Sequence, residues 1–253
     1  MSKVGAIIQA RLASTRLPAK VVNRMPNGRS VIEHIVDRIK AVKEIDEVIV
    51  AIPEGDKYSL LQQCAARSGA AVFYGDADDV LSRYYHCARQ YNLDVILRVT
   101  ADDPFRDAEV ENAAIRLLLS DETIEYVNTV GLPEGVNTEV FRMRALEKAY
   151  VEARFWSERE HVTPYIWKNH HIFKCRQLVY GDSPSDCRLT LDVPEDWKVI
   201  TAVDQALYQA GAIYTIHDIM AFLDQHQEIK RINQNIECGS GYKKSIAEDR
   251  YIR

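Results

Sequence analysis

Apolar positions in the first half of the chain fall into short continuous runs, and between the runs they recur with a helical period. Val4-Gly5-Ala6-Ile7-Ile8 is such a run, as expected of a strand buried on both faces. Ser30 stands three residues before Glu33, the spacing of a capping box, and Val31, Ile32, Ile35, Val36 and Ile39 then share one helical face. The same alternation predicts a strand over Glu47–Ile52 closed by Pro53, a helix over Tyr58–Ser68 ended by Gly69, and a strand over Ala71–Tyr74. A helix over Asp79–Gln90 and a strand over Asp94–Val99 follow. Buried strands joined by helices make an α/β fold, a parallel sheet covered on both faces, whose ligands bind beyond the carboxyl ends of the strands.

The second half is less regular. Its pattern predicts a strand over Asn137–Phe141, helices over Arg144–Arg154 and Ser157–Trp167, a strand over Ile172–Val179 and a short strand over Arg188–Leu191. Val193-Pro194-Glu195-Asp196 opens a further helix, with proline in the first turn and acids near its positive end. Thr215 caps a last helix through Leu223. From Gln225 onward the chain is polar and charged without a core pattern, so the organisation expected is one domain over 1–224 and a polar tail over 225–253. By composition that tail is either flexible or a cover for a site or a neighbouring subunit.

Composition changes this picture in two ways. The net charge of −5 excludes a general binder of nucleic acid or of acidic membrane, so basic residues gathered in one loop imply a local anionic ligand. The five cysteines are scattered, with no C-x-x-C pair, which disfavours a disulfide framework and a zinc ribbon and fits a reducing compartment. With no apolar stretch near the roughly 20 residues needed to span a bilayer, a cytoplasmic protein is expected.

Four stretches carry candidate chemistry, each at the end of an expected strand. In "QARLASTRLPAK", Arg11, Arg16 and Lys20 form either a solvated loop or a phosphate cradle, since guanidinium forks and a compact ammonium suit a triphosphate. In "RVTADDPF", Asp102 follows a strand just before the Asp103-Pro104 step, which is turn chemistry or the place for a Mg²⁺ ligand. "RLTLDVPEDW" sets Asp192 at a helix entry, and "LPEGVNTEVF" sets Glu139 on a strand after a glycine loop. Each has an ordinary structural reading by itself. Their order along the chain is far more specific.

That order resembles the cytidylyltransferase family that includes the CMP-Kdo and CMP-sialic acid synthetases, and within it the spore-coat polysaccharide (SpsF-like) branch. The branch opens on a pattern close to I-I-Q-A-R-x-G-S-T-R-L-P-G-K, matched here from Ile7 to Lys20. "GDADDVLSRYYHCA" (Gly75 to Ala88), "RVTADDP", "EREHVTPYI" (Glu158 to Ile166) and "RLTLDVPED" follow in the branch's order, so the resemblance spans about residues 4–224. It implies a Rossmann-like mixed, mostly parallel sheet with helices on both faces, as in nucleotide-diphospho-sugar transferases (GT-A-like). The activity implied is transfer of CMP from CTP to a sugar, usually an acidic keto-sugar, with Mg²⁺ and release of pyrophosphate, by a homodimer. Carried over residue by residue, Arg11, Arg16 and Lys20 fall on the triphosphate loop, Gln9 and Ala10 beside the substrate, and Asp102 and Asp192 on the metal.

Further positions are candidates beside these. Arg83 is near the nucleotide or is an i,i+4 partner of Asp79; Arg98 and Thr100 border the metal strand. His161 meets the acceptor sugar or a partner subunit, or is a core or capping histidine; Glu139 orients the acceptor. Arg142, Arg159 and Arg188 are available for an acceptor carboxylate, and the Ile52-Pro53-Glu54 loop for the base. Ala13 and Ala19 stand where the branch usually has glycine, and Asn137 where "G-x-D-x-E" is common. An alanine held at positive φ would cost about 1 kcal/mol or more. Two other readings compete: a nucleotidyltransferase or glycosyltransferase of the same fold using another nucleotide, and a non-catalytic nucleotide-binding protein. Base preference separates the first, and binding without turnover the second.

Overall fold

The computed structural model describes residues 2–14, 16–181 and 186–252; Thr15 of the opening motif lies outside the described residues. Four strands, β1 (Val4–Gln9), β2 (Glu47–Pro53), β3 (Ala71–Gly75) and β4 (Val95–Thr100), pair in parallel. β6 (Glu139–Arg142) runs antiparallel between β4 and β5 (Tyr126–Val130), and β7 (Cys175–Val179) lies parallel to β5. The order is β3-β2-β1-β4-β6-β5-β7, a mixed, mostly parallel sheet.

Strand periodicity divides the core in two. Ala6 and Ile8 of β1 join a cluster with α1 (Val31–Ile39), α2 (Leu60–Arg67), α4 (Ala108–Leu119), α8 (Pro194–Leu207) and α9 (Ile216–Gln225). Ile7, between them, joins Tyr84, Phe141 and Leu146 in a second cluster with α3 (Val80–Gln90), α5 (Met143–Glu152) and α7 (Pro164–Lys168). Helices therefore cover both faces, as expected of strands with no polar face. The capping box at Ser30 is present, with Ser30 N–H donating to Glu33 Oε2 at 2.8 Å.

Three expectations differ. The interval 105–136, without an assigned element in the sequence pattern, holds α4 and β5. The single helix over Ser157–Trp167 is two, α6 (Trp156–His161) and α7, because Pro164 has no N–H to continue the ladder. Between them Val162 adopts φ 71° and ψ −54°, and Thr163 N–H donates to His161 O at 2.8 Å, a strained three-residue turn. Arg188–Leu191 is extended but joins no strand of the sheet: it makes one bridge, Arg188 with Glu134, and Leu191 N–H donates to Asp102 O at 2.7 Å. The tail, for which the sequence left a flexible segment or a cover open, folds back on the domain. It contains α10 (Gln227–Lys230) and α11 (Ser240–Ala247), and Tyr251 bridges Phe155 beside α6.

The opening loop leaves β1 and reaches a 3₁₀ turn, Lys20–Val22, through Ala19 at φ 55°, ψ 22°. Ala13 has no positive φ. The left-handed conformation costs an alanine about 1–2 kcal/mol, and glycine would lose about 0.4–1 kcal/mol of that through a looser unfolded chain. We expect Ala19→Gly to stabilise the protein by about 0.5–1 kcal/mol, read as a Tm higher by about 1–4 °C in calorimetry. A lower Tm would show that Ala19 carries no such strain.

Candidate active site

Three loops meet at the carboxyl ends of β1 and β4. Lys20 is brought in by the 3₁₀ turn, Asp102 follows β4, and Asp192 precedes α8. The Lys20 ammonium lies between the two carboxylates, 2.8 Å from Asp192 Oδ1 and 3.4 Å from Asp102 Oδ2, and donates to Leu191 O at 2.6 Å. Burial by itself would lower the pKa of Lys20, but the charges of Asp102 and Asp192 outweigh it and raise it. Asp102 is shifted the other way: burial pushes its carboxyl up, and Lys20 together with the Thr100 hydroxyl brings it below the usual carboxylate range. Its neighbour Asp103 is pushed up to about 6, by burial and by the Asp102 charge.

Asp192 is held from behind. Arg188 Nη2 lies 3.2 Å from Asp192 Oδ2, and the same guanidinium forks onto Asp196 and reaches Glu134 at 2.5 Å. Asp196 is fully buried and also accepts from the N–H groups of Asp192 and Val193 and from Asn233. Arg16 reaches Asp192 Oδ1 at 3.1 Å from the exposed side. Gly135 lets the 133–137 loop close on this segment: at φ 96°, its added Cβ would lie 2.5 Å from Thr190 N.

Beside the carboxylates opens a cavity of about 920 Å³. Glu139 sits on its floor, the first residue of β6, opposite Arg98 in the β4 register. It accepts from Arg98 Nη1, Tyr126 Oη and Thr163 Oγ1, each at 2.6 Å. Asn128, Asn137, Gln177, Trp167 and His161 line the wall. Burial lowers the His161 pKa to about 4, with the Arg98 charge acting the same way, so the imidazole is neutral at physiological pH. Its Nε2 lies 2.9 Å from Ser245 Oγ of α11.

Arg98, Thr100, Asp102, Glu139, His161 and Asp192 line this cavity and Arg16 and Lys20 pair with its carboxylates, whereas Gln9, Ala10, Arg11 and Arg83 are not part of its lining. Gln9 ends β1 with Oε1 buried and without a hydrogen-bond partner, and Ala10 N–H donates to Ala51 O. Arg11 is exposed at the mouth of the loop. Arg83 is not the partner of Asp79: it donates to Asp76 O at 2.9 Å, while Asp79 pairs with Arg159 at 2.7 Å. Its Nε is buried and unpartnered, as is that of Arg98. Arg159 is therefore occupied, as are Arg188 and Arg142, the latter by the carbonyls of Ile124, Leu118 and Asp121. Each of the three is held by groups of the chain itself. The Glu54–Asp56 turn after β2 is tied to the basic loop, Asp56 accepting from Leu12 N–H at 2.9 Å. Sequence reasoning missed Glu134, Trp167 and Tyr242; it had Asp103 only beside Asp102 in the Asp-Asp-Pro strand end, and Asp196 only as an acid of the "VPED" helix entry.

The geometry can now be set beside known proteins. A family model described as Cytidylyltransferase matches residues 5–234. The chain belongs to the cytidylyltransferase family. It is 34% identical over 239 residues to an uncharacterised protein of Methanocaldococcus jannaschii, covering 92% of this chain and 96% of that one. It is 30% identical over 224 residues to the spore coat polysaccharide biosynthesis protein SpsF of Bacillus subtilis, covering 83% and 88%. A cytidylyltransferase structure from Leptospira borgpetersenii superimposes with a TM-score of 0.86 at 29% identity, over 94% of this chain and 99% of that one. Shorter matches, such as the 3-deoxy-manno-octulosonate cytidylyltransferase of Elusimicrobium minutum, are 30% identical over 120 residues, 47% of each chain. Membership makes the protein a CTP-using nucleotidyltransferase. Among its described residues no helix is long and apolar enough to cross a membrane.

Two measurements test how this cytidylyltransferase holds its site. Asp196→Ala leaves the buried Arg188 short of its best partner and should cost about 3 kcal/mol in guanidinium unfolding; a change below 0.5 kcal/mol, on the order of a surface substitution, would show the network to be dispensable. His161, at about 4 in the folded protein against 6.5 for an ordinary imidazole, takes up a proton more readily when unfolded. Its contribution is complete above pH 6.5 and is lost as pH falls toward 4. Urea unfolding should therefore weaken over that window by about 1–3 kcal/mol, at ~1.4 kcal/mol per unit of pKa difference. The loss should be smaller in His161→Gln, and an equal loss in the variant would assign the effect elsewhere.

Proposed function

We propose that the protein is a Mg²⁺-dependent cytidylyltransferase that transfers CMP from CTP to a hydroxyl of a sugar, releasing pyrophosphate, in surface polysaccharide or glycoconjugate synthesis. The acceptor class we propose is an acidic keto-sugar, by analogy with the octulosonate relatives. Its carboxylate is not received by Arg142, Arg159 or Arg188, each of which is already engaged. The same reading has the enzyme working in the cytoplasm as a homodimer, with no nucleic-acid or membrane partner.

The observation that carries this reading is the single cationic nitrogen of Lys20 between Asp102 and Asp192. Two carboxylates and the Leu191 carbonyl around one positive atom are hard oxygen donors. Magnesium takes such a set, commonly with one or two carboxylates and the remaining positions from water and phosphate. Among the described residues no group of three or more His, Cys, Asp or Glu could hold a metal, so those other positions would fall to the nucleotide and water. Asp102 and Asp192 would hold the ion. When bound, it would neutralise charge on the α-phosphate and acidify the attacking hydroxyl.

The chain's own residues do the rest by position and charge. Arg11 and Arg16 bind triphosphate oxygens, and Lys20 stabilises the charge that collects on departing pyrophosphate. Gln9, Ala10 and Arg83 frame the nucleotide on the side of the Glu54–Asp56 turn. Thr100 fixes the carboxylates after β4, and Arg98 with Glu139 forms the acceptor floor. Glu139, held by three donors, orients the sugar, and neutral His161 serves as a hydrogen-bonding group. The acceptor oxygen bonds to the α-phosphorus as the α–β bridging bond breaks, the electron pair leaves on pyrophosphate, and the hydroxyl proton passes to solvent.

Pyrophosphate release from each of the four NTPs with Mg²⁺, against keto-sugar acids and neutral sugars, tests the reading. CTP should be used alone or far ahead of the others. Asp102→Asn should lower the rate by at least about 10³-fold, and Lys20→Met by about 10²–10³, as for loss of one charge-stabilising donor. Preference for another nucleotide, or an undiminished rate in Asp102→Asn, would overturn it.

A further inference from the structure

The segment after residue 234 lies beyond the matched family model, yet it forms part of the wall of the cavity that holds Asp102, Asp192, Glu139 and His161. Gly239, Gly241 and Tyr242 all line that cavity. The segment is fastened along its whole length. Gly239 N–H donates to Glu134 Oε1 at 2.8 Å, and Arg16 Nη1 donates to Ser240 Oγ at 3.3 Å, joining the segment to the phosphate loop. Ser245 Oγ lies 2.9 Å from His161 Nε2 and 2.5 Å from Glu160 Oε2. Asp249 accepts from both the N–H and the hydroxyl of Ser157, and Ile252 N–H donates to Arg154 O at 2.7 Å. An incidental tail would not be held at so many separate points.

Tyr242 is the residue this wall presents. Its ring meets His161 edge-on at 5.1 Å between centroids and Trp167 at 5.8 Å, and Lys168 Nζ stands 5.8 Å from it. Its hydroxyl is buried and has no hydrogen-bond partner. Leaving such a group unmatched costs about 1–3 kcal/mol, and a buried tyrosine hydroxyl ordinarily finds a partner. The unpaired hydroxyl is covered, on a ring that lines the cavity, and is a donor left for a polar ligand that reaches it when the ring turns inward. Aromatic faces, the amides of Asn128, Asn137 and Gln177 and an unpaired hydroxyl together suit a polyhydroxylated ring.

We propose that the C-terminal segment 239–252 is the outer wall of the acceptor site, and that Tyr242 contacts the sugar by donating a hydrogen bond to one of its hydroxyls while its ring keeps water from the α-phosphorus. This rests on the cytidylyl-transfer reading and adds to it a residue that sets acceptor affinity. Where the wall is opened, water takes the place of the acceptor. Its oxygen bonds to the α-phosphorus, the α–β bridging bond breaks, pyrophosphate leaves with the electron pair, and the water proton passes to solvent.

The test uses the full-length chain and its variants Tyr242→Phe and Tyr242→Ala, with CTP and Mg²⁺. Pyrophosphate is followed without acceptor, then with 3-deoxy-manno-octulosonate, N-acetylneuraminate, N-acetylglucosamine and glucose in turn. CTP binding is measured by calorimetry for all three proteins. For whichever of the four sugars supports release, Tyr242→Phe should raise its KM about tenfold and leave the KM for CTP within about twofold, the loss of one hydrogen bond. Tyr242→Ala should raise acceptor-independent release severalfold. If none of the four sugars supports release, that acceptor-independent rate decides. CTP bound equally by all three proteins, with acceptor KM and hydrolysis unchanged in both variants, overturns the proposal and leaves cytidylyl transfer standing. Failure of the wild-type protein to bind CTP is a different result, and it removes the transfer reading on which the proposal rests.

Discussion

Asp102 and Asp192 come from segments far apart in the chain, and they can share one small volume only while positive charge lies between them. Two like charges about 4 Å apart at an effective dielectric near 20 repel by about 4 kcal/mol. Lys20 supplies the charge that reverses the sign, from a loop that neither aspartate belongs to. The rest of the site follows from that meeting. The end of β4, the extended 188–192 segment and the loop after β1 must all come to the same point, and the backbone bond from Leu191 N–H to Asp102 O closes them together. Arg188 and buried Asp196 then fix the carboxylate of Asp192 from the core side, so that Lys20 meets it on the side open to the cleft.

Sheet topology decides what stands next to those carboxylates. In a purely parallel sheet every strand would bring its last residue to this edge. β6 runs the other way, so its first residue, Glu139, lies opposite Arg98 near the end of β4. The reversal also explains why the cavity floor is polar although the strands are apolar: the floor is made where β6 begins and the glycine loop before it turns. Val162 adds a second local device. By taking φ 71° between two short helices, it sets His161 in the cavity wall and turns the Thr163 hydroxyl onto Glu139 from the other side of the turn. Strain of this kind, in a β-branched residue, persists only where packing over-determines it, and Val162 is fully buried.

The first half of the fold was legible because each strand there is buried on both faces and each helix announces itself by a cap: Ser30, Ser59 and Asp79 all receive the backbone N–H that capping requires. Of the missed pair, α4 carries the same signal, Asp107 accepting from the N–H groups of Glu109 and Val110 before a buried face of Val110, Ala114, Ile115 and Leu118, and only β5 lacks the contrast. "YVNTV" mixes polar and apolar residues because its polar members face the cavity or pair with Thr138, and a strand shaped by a ligand site gives no clean period. At the site, Arg16, Lys20, Asp102 and Asp192 could be read because their residue types and order are set by charge. Tyr242, Trp167 and Glu134 could not, because their proximity arises from tertiary folding of segments whose local composition is ordinary. The tail gave no core pattern for the same reason: it packs through hydrogen bonds and single aromatic contacts, which leave no periodic trace.

The arrangement of charges also has a consequence for how a nucleotide would enter. Lys20 and Arg16, the two cations of the basic loop with partners in the structure, are both committed to Asp192, and Lys20 also to Asp102. A triphosphate arriving by itself would draw those cations away and leave two partly buried carboxylates facing each other and an anion, which electrostatics forbids. A metal ion arriving by itself would meet carboxylates already neutralised by Lys20 and Arg16. Only the two together would let every charge keep a partner: Lys20 and Arg16 would turn to the phosphates, and Asp102 and Asp192 would hold the ion. In the transfer reading, the pairing of Lys20 with the aspartates is then the resting form of the site, and it favours the metal–nucleotide complex over either component.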